Sequence, residues 1–264
     1  MDKPVFVGLD MGASRTKVAV VDPLGRLLGH AVKKSGLDFS ATAAACLDAS
    51  LQIAGASRAD IVRAVSTGYG RGNVAFVTEK SKTEIGCLAK ACYHYFPEAI
   101  TIIDIGGQDN KIIHLDAAGR RASFKMNRKC AAGTGAFLEE MASRLDISLE
   151  EMNGLARRSQ DMIRLGSYCT VFSATEVLES IRNGSQVADI VKGLFYSVIK
   201  RVLEMDILSD RVVMTGGVVA CNPYILEMAE ELIGRPLLIP ALPQLAGAVG
   251  AALYALDDKG EAAV

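Results

Sequence analysis

The sequence lacks the features that mark several large classes of protein. Its formal net charge is −1, and its Lys and Arg residues form no basic stripe of the kind that binding to a phosphate backbone requires. No apolar run reaches the roughly 18 residues that span a bilayer, and the amino terminus has no charged-then-apolar signal pattern. We therefore expect a cytoplasmic protein with no nucleic-acid partner and no membrane association.

Cysteine is also scarce, which excludes the disulfide framework of a small secreted domain. The six cysteines include no CxxC pair and are dispersed along the chain: Cys46, Cys87, Cys92, Cys130, Cys169 and Cys221. Cys46, Cys87 and Cys92 lie in helical patterns, where a free thiol behaves as a small hydrophobe. We predict that these three are buried packing residues.

What the sequence does contain is a pattern of strands and helices that occurs twice. The first pass predicts strands at 5–9, 17–21 and 26–31, a helix at 41–55, a strand at 61–70 and a helix at 82–96. The second predicts strands at 99–107 and within 110–127, mostly helices over 133–205, a strand at 211–217, a helix from Pro223, a short strand at 236–240 and a helix at 246–256. We predict an α/β protein with lobe I at 1–97 plus 245–264 and lobe II at 98–244.

Each pass places an aspartate at the end of a buried strand, directly before glycines: "VGLDMGASRTK" (7–17) and "IIDIGGQDNK" (102–111). Glycine lets backbone N–H groups approach an anion closely, and the carboxylate can hold magnesium, usually through water. One such turn is as consistent with a tight β-turn, but two in matching contexts favour a phosphate site. A third glycine pair, "MTGGV" (214–218), fits an adenosine contact or an ordinary strand-to-helix turn.

Two cysteines stand at predicted helix starts. Cys130 precedes "AAGTG", in which Thr134 is a candidate cap for a helix with apolar residues at helical spacing. Cys169 precedes a helix whose predicted capping box is Ser173-x-x-Glu176. The partly positive end of a helix favours a thiolate, which binds metal. The alternative is that both cysteines are buried as small apolar residues.

A 4Fe-4S cluster needs four thiolates, and one chain offers two in this setting. The hypothesis that follows is a symmetric homodimer that holds one cluster on its two-fold axis, with Cys130 and Cys169 from each subunit.

The three glycine loops, in this order, resemble the phosphate and adenosine motifs of the actin, sugar kinase and heat-shock chaperone superfamily. GxxxxGK[ST] and a strand-turn-helix GxGxxG are both absent, so P-loop and Rossmann folds have no support. "KCAAGTG", "CTVF", "IDIGGQD", "TGYGR" and "GAVGAALYA" together resemble the ATP-dependent activators (component A) of 2-hydroxyacyl-CoA dehydratases and the ATPase subunits of benzoyl-CoA reductase. The likeness runs nearly from end to end.

This resemblance implies two ribonuclease-H-like lobes with ATP or ADP and Mg²⁺ in a cleft between them. It also implies a homodimer with one 4Fe-4S cluster, held by Cys130 and Cys169 of each subunit. Reduced ferredoxin or flavodoxin would supply one electron. ATP hydrolysis would then drive its transfer to an iron–sulfur dehydratase or reductase, which is a 2-hydroxyacyl-CoA dehydratase, a benzoyl-CoA reductase or a related double-cubane-type reductase.

The resemblance and the loop chemistry together assign candidate roles. The predicted catalytic residues are Asp10 at magnesium, Asp104 near magnesium and the attacking water, and Gln108 orienting that water. The predicted nucleotide and phosphate contacts are Gly12, Ala13, Ser14, Arg15, Thr16, Lys17, Gly106, Gly107, Gly133, Thr134, Gly216, Gly217 and Gln244. Gly133–Gly135 would also transmit nucleotide-driven movement to Cys130. For Lys17 the alternative is a solvated surface lysine.

The chain departs from the usual pattern of these activators at two positions near the cysteines. Ala174 in "FSATEV" replaces a carboxylate, and Arg128 in "RKC" adds positive charge. Both leave the choice of partner enzyme open. Two other functions also stay open: a small-molecule kinase without a cluster, and, less favoured, a nucleotide-dependent scaffold.

Overall fold

Two four-stranded sheets organise the residues that the structure, a computed structural model, describes: 3–78, 80–166 and 169–258. The remaining positions of predicted lobes I and II lie outside the described residues. By their contacts the residues group into two units. Unit 1 comprises Met1–Glu98, Ala117–Arg120 and Leu245–Val264, and unit 2 comprises Ala99–Asp116 and Arg121–Gln244.

The strands in chain order are β1 (Val5–Met11), β2 (Arg15–Val21), β3 (Leu27–Lys34), β4 (Ile61–Thr67), β5 (Ile100–Ile105), β6 (Asn110–Leu115), β7 (Arg121–Asn127) and β8 (Val212–Thr215). The helices are α1 (Phe39–Ala54), α2 (Glu84–Tyr95), α3 (Gly135–Arg144), α4 (Leu149–Arg158), α5 (Thr170–Arg182), α6 (Val187–Leu203), α7 (Gly217–Cys221), α8 (Pro223–Ile233) and α9 (Ala246–Asp257). No helix among the described residues is long and apolar enough to cross a membrane.

The two sheets have the same topology. In unit 1 the order is β3-β2-β1-β4, with β1 antiparallel to β2 and parallel to β4. In unit 2 the order is β7-β6-β5-β8, with β5 antiparallel to β6 and parallel to β8. The repeat in the sequence is therefore a repeat in the fold, and it places β1 and β5 at equivalent positions.

Helices cover both faces of the unit 1 sheet, and β1 is therefore buried on both sides. Its odd-numbered residues, such as Val7 and Leu9, pack with Leu47 of α1. Phe6 packs on the opposite face with Ala251 of α9. Successive side chains of a strand point to opposite faces, which explains why β1 is an unbroken apolar run up to Asp10.

The core of unit 2 is formed mainly by α3, α4, α6 and α8 packed on the sheet. Its largest fully buried side chains include Phe137 of α3 and Phe195 of α6. Because α3 contributes Phe137, Leu138 and Met141 to this core, the start of α3 is held close to the sheet.

The structure differs from the sequence predictions at two strands. The predicted strand at 61–70 ends at Thr67, because the chain turns at Gly68, whose φ is 91°. The predicted strand at 236–240 is reduced to a single parallel bridge between Leu238 and Val213. Pro236 and Pro240 flank that bridge and have no N–H to extend the ladder.

Candidate functional site

Asp10 lies near the carboxyl end of β1, beside a lysine and a threonine from the neighbouring strands. The sheet register places Lys17 of β2 on one side of it and Thr67 of β4 on the other. Lys17 Nζ donates to Asp10 Oδ2 at 3.0 Å. The Lys17 side chain is only 17% exposed, so it is not the solvated surface lysine that was the alternative.

Asp104 has the same neighbours in unit 2. The register places Lys111 of β6 on one side of it and Thr215 of β8 on the other. Lys111 Nζ donates to Asp104 Oδ2 at 3.2 Å and to Asp109 Oδ1 at 2.6 Å. Thr215 Oγ1 donates to Asp104 Oδ1 at 2.8 Å, so both oxygens of Asp104 are engaged.

The first glycine loop, between β1 and β2, is tethered by Ser35. The Ser35 hydroxyl donates to Gly12 O at 2.6 Å, and the Ser35 N–H donates to Ser14 O at 3.1 Å. Thr16 is buried, with its hydroxyl 3.1 Å from Ser35 Oγ, whereas Ala13 and Arg15 are exposed. Ser35 had no signal in the sequence, because it is an isolated serine directly after the two lysines that end β3.

The second glycine loop, between β5 and β6, is a tight turn. Gly106 N–H donates to Asp109 O at 2.9 Å, and a Cβ at Gly106 would lie 2.8 Å from that oxygen. Gln108 is exposed at the tip of the turn. The turn therefore brings Asp104, Gly106 and Asp109 together within a few residues, although Asp109 was not predicted as a site residue.

The third glycine loop lies against Gln244. Gly216 has φ 104° and its N–H donates to Pro243 O at 3.1 Å. A Cβ at Gly216 would lie 2.3 Å from Ile105 O, and a Cβ at Gly217 would lie 3.4 Å from Gln244 Nε2. The structure therefore places Gly216, Gly217 and Gln244 side by side in unit 2.

Cys130 lies in the loop before α3 and is exposed. Thr134 occupies the N-cap position of α3, but its hydroxyl donates to Ala131 O at 2.6 Å and accepts no N–H of the helix. The predicted side-chain cap is therefore wrong, although the predicted helix start is right. Gly133 is needed at this loop because its φ is 80°.

Cys169 is the N-cap residue of α5 and is also exposed. The predicted capping box at Ser173 is wrong, because α5 begins at Thr170 and Ser173 is buried one turn inside it. Glu176, its predicted partner, instead accepts the N–H of Gly166 at 2.6 Å. The earlier start places Cys169 itself at the helix amino end.

The cysteines of the two units differ in exposure. Cys46, Cys87 and Cys92 of unit 1 are buried, as predicted for packing residues. Burial raises the pKa of Cys46 to about 11 and that of Cys87 to about 12, so these thiols stay protonated. Cys130 and Cys169 are exposed, which rules out the alternative that they are packing residues.

Comparison with known proteins gives a family match over nearly the whole chain. The model of the "BadF/BadG/BcrA/BcrD ATPase family" matches residues 7–255. A curated relative, the "Activator of lactoyl-CoA dehydratase" of Anaerotignum propionicum, is 39% identical over 254 residues, which cover 95% of this chain and 97% of the relative.

Two solved structures resemble the chain over almost their full length. One is component A of the (R)-2-hydroxyglutaryl-CoA dehydratase of Acidaminococcus fermentans, with a TM-score of 0.92, 33% identity and coverage of 98% of this chain and 100% of that one. The other is the activator of the 2-hydroxyisocaproyl-CoA dehydratase from Clostridium difficile with bound ADPNP, with a TM-score of 0.89, 37% identity and coverage of 96% and 95%.

A more distant likeness concerns the fold alone. A ROK family glucokinase from Streptomyces griseus superimposes with a TM-score of 0.57 at 15% identity, over 95% of this chain and 98% of that one. The two sheet-based units therefore have the fold of the actin and sugar kinase ATPases, as the glycine loops predicted.

Proposed function

The chain belongs to the BadF/BadG/BcrA/BcrD ATPase family, and from this premise we propose that it hydrolyses ATP to drive low-potential, one-electron reduction of an iron–sulfur partner enzyme. The partner would be a 2-hydroxyacyl-CoA dehydratase or a related reductase, the class of enzyme that the relatives activate by name. A reduced ferredoxin or flavodoxin would supply the electron.

Nucleotide binding is supported by the glycine loops and by the ADPNP in the solved relative. In unit 1, Asp10 would hold Mg²⁺ through its free oxygen, and Lys17 with the 12–16 loop would bind phosphate. In unit 2, Asp104 and Gln108 would orient the attacking water, and Gly216, Gly217 and Gln244 would contact adenosine. Gly106 and Gly107 would offer backbone N–H groups to phosphate.

The observation that carries the electron-transfer part of the proposal is the exposure of Cys130 and Cys169. Cys169 is the N-cap residue of α5, and Cys130 lies in the loop four residues before Thr134, the N-cap residue of α3. An iron–sulfur cluster is held by cysteine sulfurs, and two exposed cysteines can offer them, so the residues present fit the group.

One chain supplies two of these thiols, so the proposal needs a homodimer with one 4Fe-4S cluster, Cys130 and Cys169 coming from each subunit. When bound, the cluster would supply a site for one electron. The role of the chain itself would be to hold the thiols, bind the nucleotide and change the position of the thiols when the nucleotide changes.

The first experiment is to measure iron and acid-labile sulfide per chain, together with the mass in solution, on protein purified under strict anoxia. About two irons per chain in a dimer would mean one shared four-iron cluster. The Cys130→Ser variant should lose iron and electron transfer but keep nucleotide binding. Cys221→Ser is the matched control, because Cys221 is an exposed thiol of the same unit.

Two outcomes would contradict this proposal. If the wild type binds Mg-nucleotide but no iron, Cys130 and Cys169 are not ligands, and a screen of small-molecule kinase substrates becomes the next experiment. If the Cys130→Ser variant loses nucleotide binding as well as iron, the separation between nucleotide loops and cluster thiols is wrong.

A further inference from the structure

The second glycine loop caps α3, the helix that follows Cys130. The N–H of Gly135 donates to Gly106 O at 2.9 Å, and the N–H of Ala136 donates to Gly107 O at 2.7 Å. N–H groups in the first turn of a helix have no partner within the helix, so the loop carbonyls satisfy them. A Cβ at Gly135 would lie 3.1 Å from Gly107 Cα, which shows how closely the two segments approach.

Asn110 adds a side-chain link between the same two segments. It is fully buried at the start of β6, and its Nδ2 donates to Gly133 O at 2.8 Å. Asn127, its register partner on β7, donates from Nδ2 to Cys130 O at 3.2 Å. Two paired asparagines therefore hold the Cys130 loop, one near each end.

Each peptide group of the second glycine loop presents its C=O on one side and its N–H on the other. A trans peptide points its C=O and its N–H in opposite directions within one rigid plane. The carbonyls of Gly106 and Gly107 point to α3, so the N–H groups of Gly107 and Gln108 in the same planes point away from it. Neither N–H has a hydrogen-bond partner among the described residues. A phosphate bound there cannot turn these planes without moving the cap of α3.

We propose that Asn110 is a positioning residue that couples occupancy of the second glycine loop to the position of the Cys130 thiol. This inference rests on the proposed function, because it needs a nucleotide at that loop. With Asn110 in place, the loop, Gly133 and the first turn of α3 move as one body. Without its amide, the Cys130 loop keeps the Asn127 link and the α3 cap but loses its attachment to β6.

The Oδ1 atom of Asn110 has no hydrogen-bond partner in the described structure, although it is buried. A buried acceptor without a donor is costly, and a second arrangement of the loop that offers a donor would recover that cost. If the loop had only one rigid arrangement, the Oδ1 atom of Asn110 would never find a donor and the cost would not be recovered.

The test uses the full chain without iron, under reductant and anoxia. An alkylating reagent, added in less than the molar amount of thiol, labels the exposed cysteines. Mass spectrometry of the peptides then gives the labelling of Cys130 relative to that of Cys221, measured with and without Mg-ADPNP. In the wild type we expect this ratio to change about fivefold or more, the low end of coupling between two sites. In Asn110→Ala the ratio should change clearly less with the nucleotide than in the wild type, because only the cap of α3 still links the two segments, although the nucleotide still binds.

Asn222→Ala is the matched control. Asn222 is also a buried amide of unit 2 that donates from Nδ2 to a backbone oxygen, Val218 O at 3.0 Å, and its Oδ1 is also without a partner. The Asn222→Ala variant should keep the nucleotide response of Cys130. A role of Asn110 in stability alone would affect both variants alike.

A nucleotide response in Asn110→Ala equal to that of the wild type would overturn the coupling and leave the proposed function intact. Absence of nucleotide binding in the wild type would overturn both. Hydrogen exchange keeps the inference testable if Asn110→Ala does not fold. Mg-ADPNP should slow exchange of the Gly135 and Ala136 amides in the wild type, and unchanged exchange there would also overturn the coupling.

Discussion

The two units share a strand order and an Asp–Lys–Thr arrangement, yet they differ in how completely the aspartate is held. In unit 2, Asp104 has one oxygen on Lys111 and the other on Thr215. In unit 1, Lys17 holds one oxygen of Asp10, and no described residue donates to the other. Among the described residues, the hydroxyl of Thr67 has no oxygen or nitrogen partner, and the Cys87 thiol lies beside it.

Under the proposed function, this difference would correspond to different roles for the two equivalent aspartates. Asp104 is fixed in a single orientation, which suits a group that must hold a water molecule in place. Asp10 keeps a free oxygen, which suits a group that binds and releases a cation with each nucleotide. The cysteines divide in the same way, since those of unit 1 are buried and those of unit 2 are exposed.

The largest effect should come from neutralising either aspartate. Asp10→Asn and Asp104→Asn should each lower the rate of ATP hydrolysis by about 100-fold or more, the range for losing one electrostatic contact to a transition state. The two variants should also differ in how they respond to magnesium. Raising the magnesium concentration should restore part of the activity of Asp10→Asn but not that of Asp104→Asn.

The measurement is the rate of hydrolysis over a magnesium series. Asp48→Asn is the control, because Asp48 is an exposed carboxylate that pairs with Arg58 far from the glycine loops in sequence. Equal magnesium dependence in the two aspartate variants would mean that the free oxygen of Asp10 has no special role.

A second effect, on stability rather than on catalysis, is expected from the lysines. Lys111 is 4% exposed and holds two carboxylates, so Lys111→Met should lower the free energy of unfolding by about 3–5 kcal/mol. Lys17 is 17% exposed and donates to Asp10, so Lys17→Met should cost less, about 1.5–3 kcal/mol, the range for one hydrogen bond to a charged group. Urea unfolding, with hydrogen exchange to separate the units, checks both values, and equal losses would contradict the comparison.

Part of this comparison was visible in the sequence. The two Asp-x-Gly turns and the lysine seven residues after each aspartate are local, so the repeat predicted both loops and the fold. The threonines were not predicted, because Thr67 and Thr215 lie beside their aspartates only through the pairing of parallel strands that are distant along the chain. Asn110 also gave no signal, since a single asparagine at a strand start matches no motif.

The wrong predictions arose where local patterns competed with packing. Ser173-x-x-Glu176 matches a capping box, but Ser173 is buried within α5, and Glu176 accepts the N–H of Gly166. Thr134 has the residue type of a cap, but its hydroxyl donates to Ala131 O, and carbonyls of the second glycine loop accept the N–H groups of Gly135 and Ala136 instead. In both cases a tertiary contact replaces the local capping hydrogen bond that the sequence predicted.

The smallest effect concerns the buried thiols of unit 1. Their pKa values are raised by burial, to about 11 for Cys46 and about 12 for Cys87, so only the protonated thiol is compatible with the fold. Stability from this source is complete below the reference pKa of 9.0 and is lost as pH rises towards the folded-state values.

Unit 1 should therefore lose about 1 kcal/mol per thiol between pH 8 and pH 10. The check is urea unfolding at both pH values for the wild type and for a Cys46→Ala, Cys87→Ala double variant. The variant starts less stable but should show a flatter dependence on pH. An equal dependence in the two proteins would mean that other groups cause the loss.

The helix α9 has a consequence for the order in which the chain can fold during synthesis. Its backbone lies so close to β1 and α2 that a Cβ at Gly8 would lie 1.9 Å from Ala248 O and one at Gly250 would lie 1.8 Å from Cys87 O. Unit 1 is therefore incomplete until the last helix has been made, and Phe6, Val21 and Val65 lack part of their cover until then. Most of unit 2 lies between these segments along the chain, so the strands of unit 1 are synthesised before unit 2, but the helix that covers them is synthesised after it.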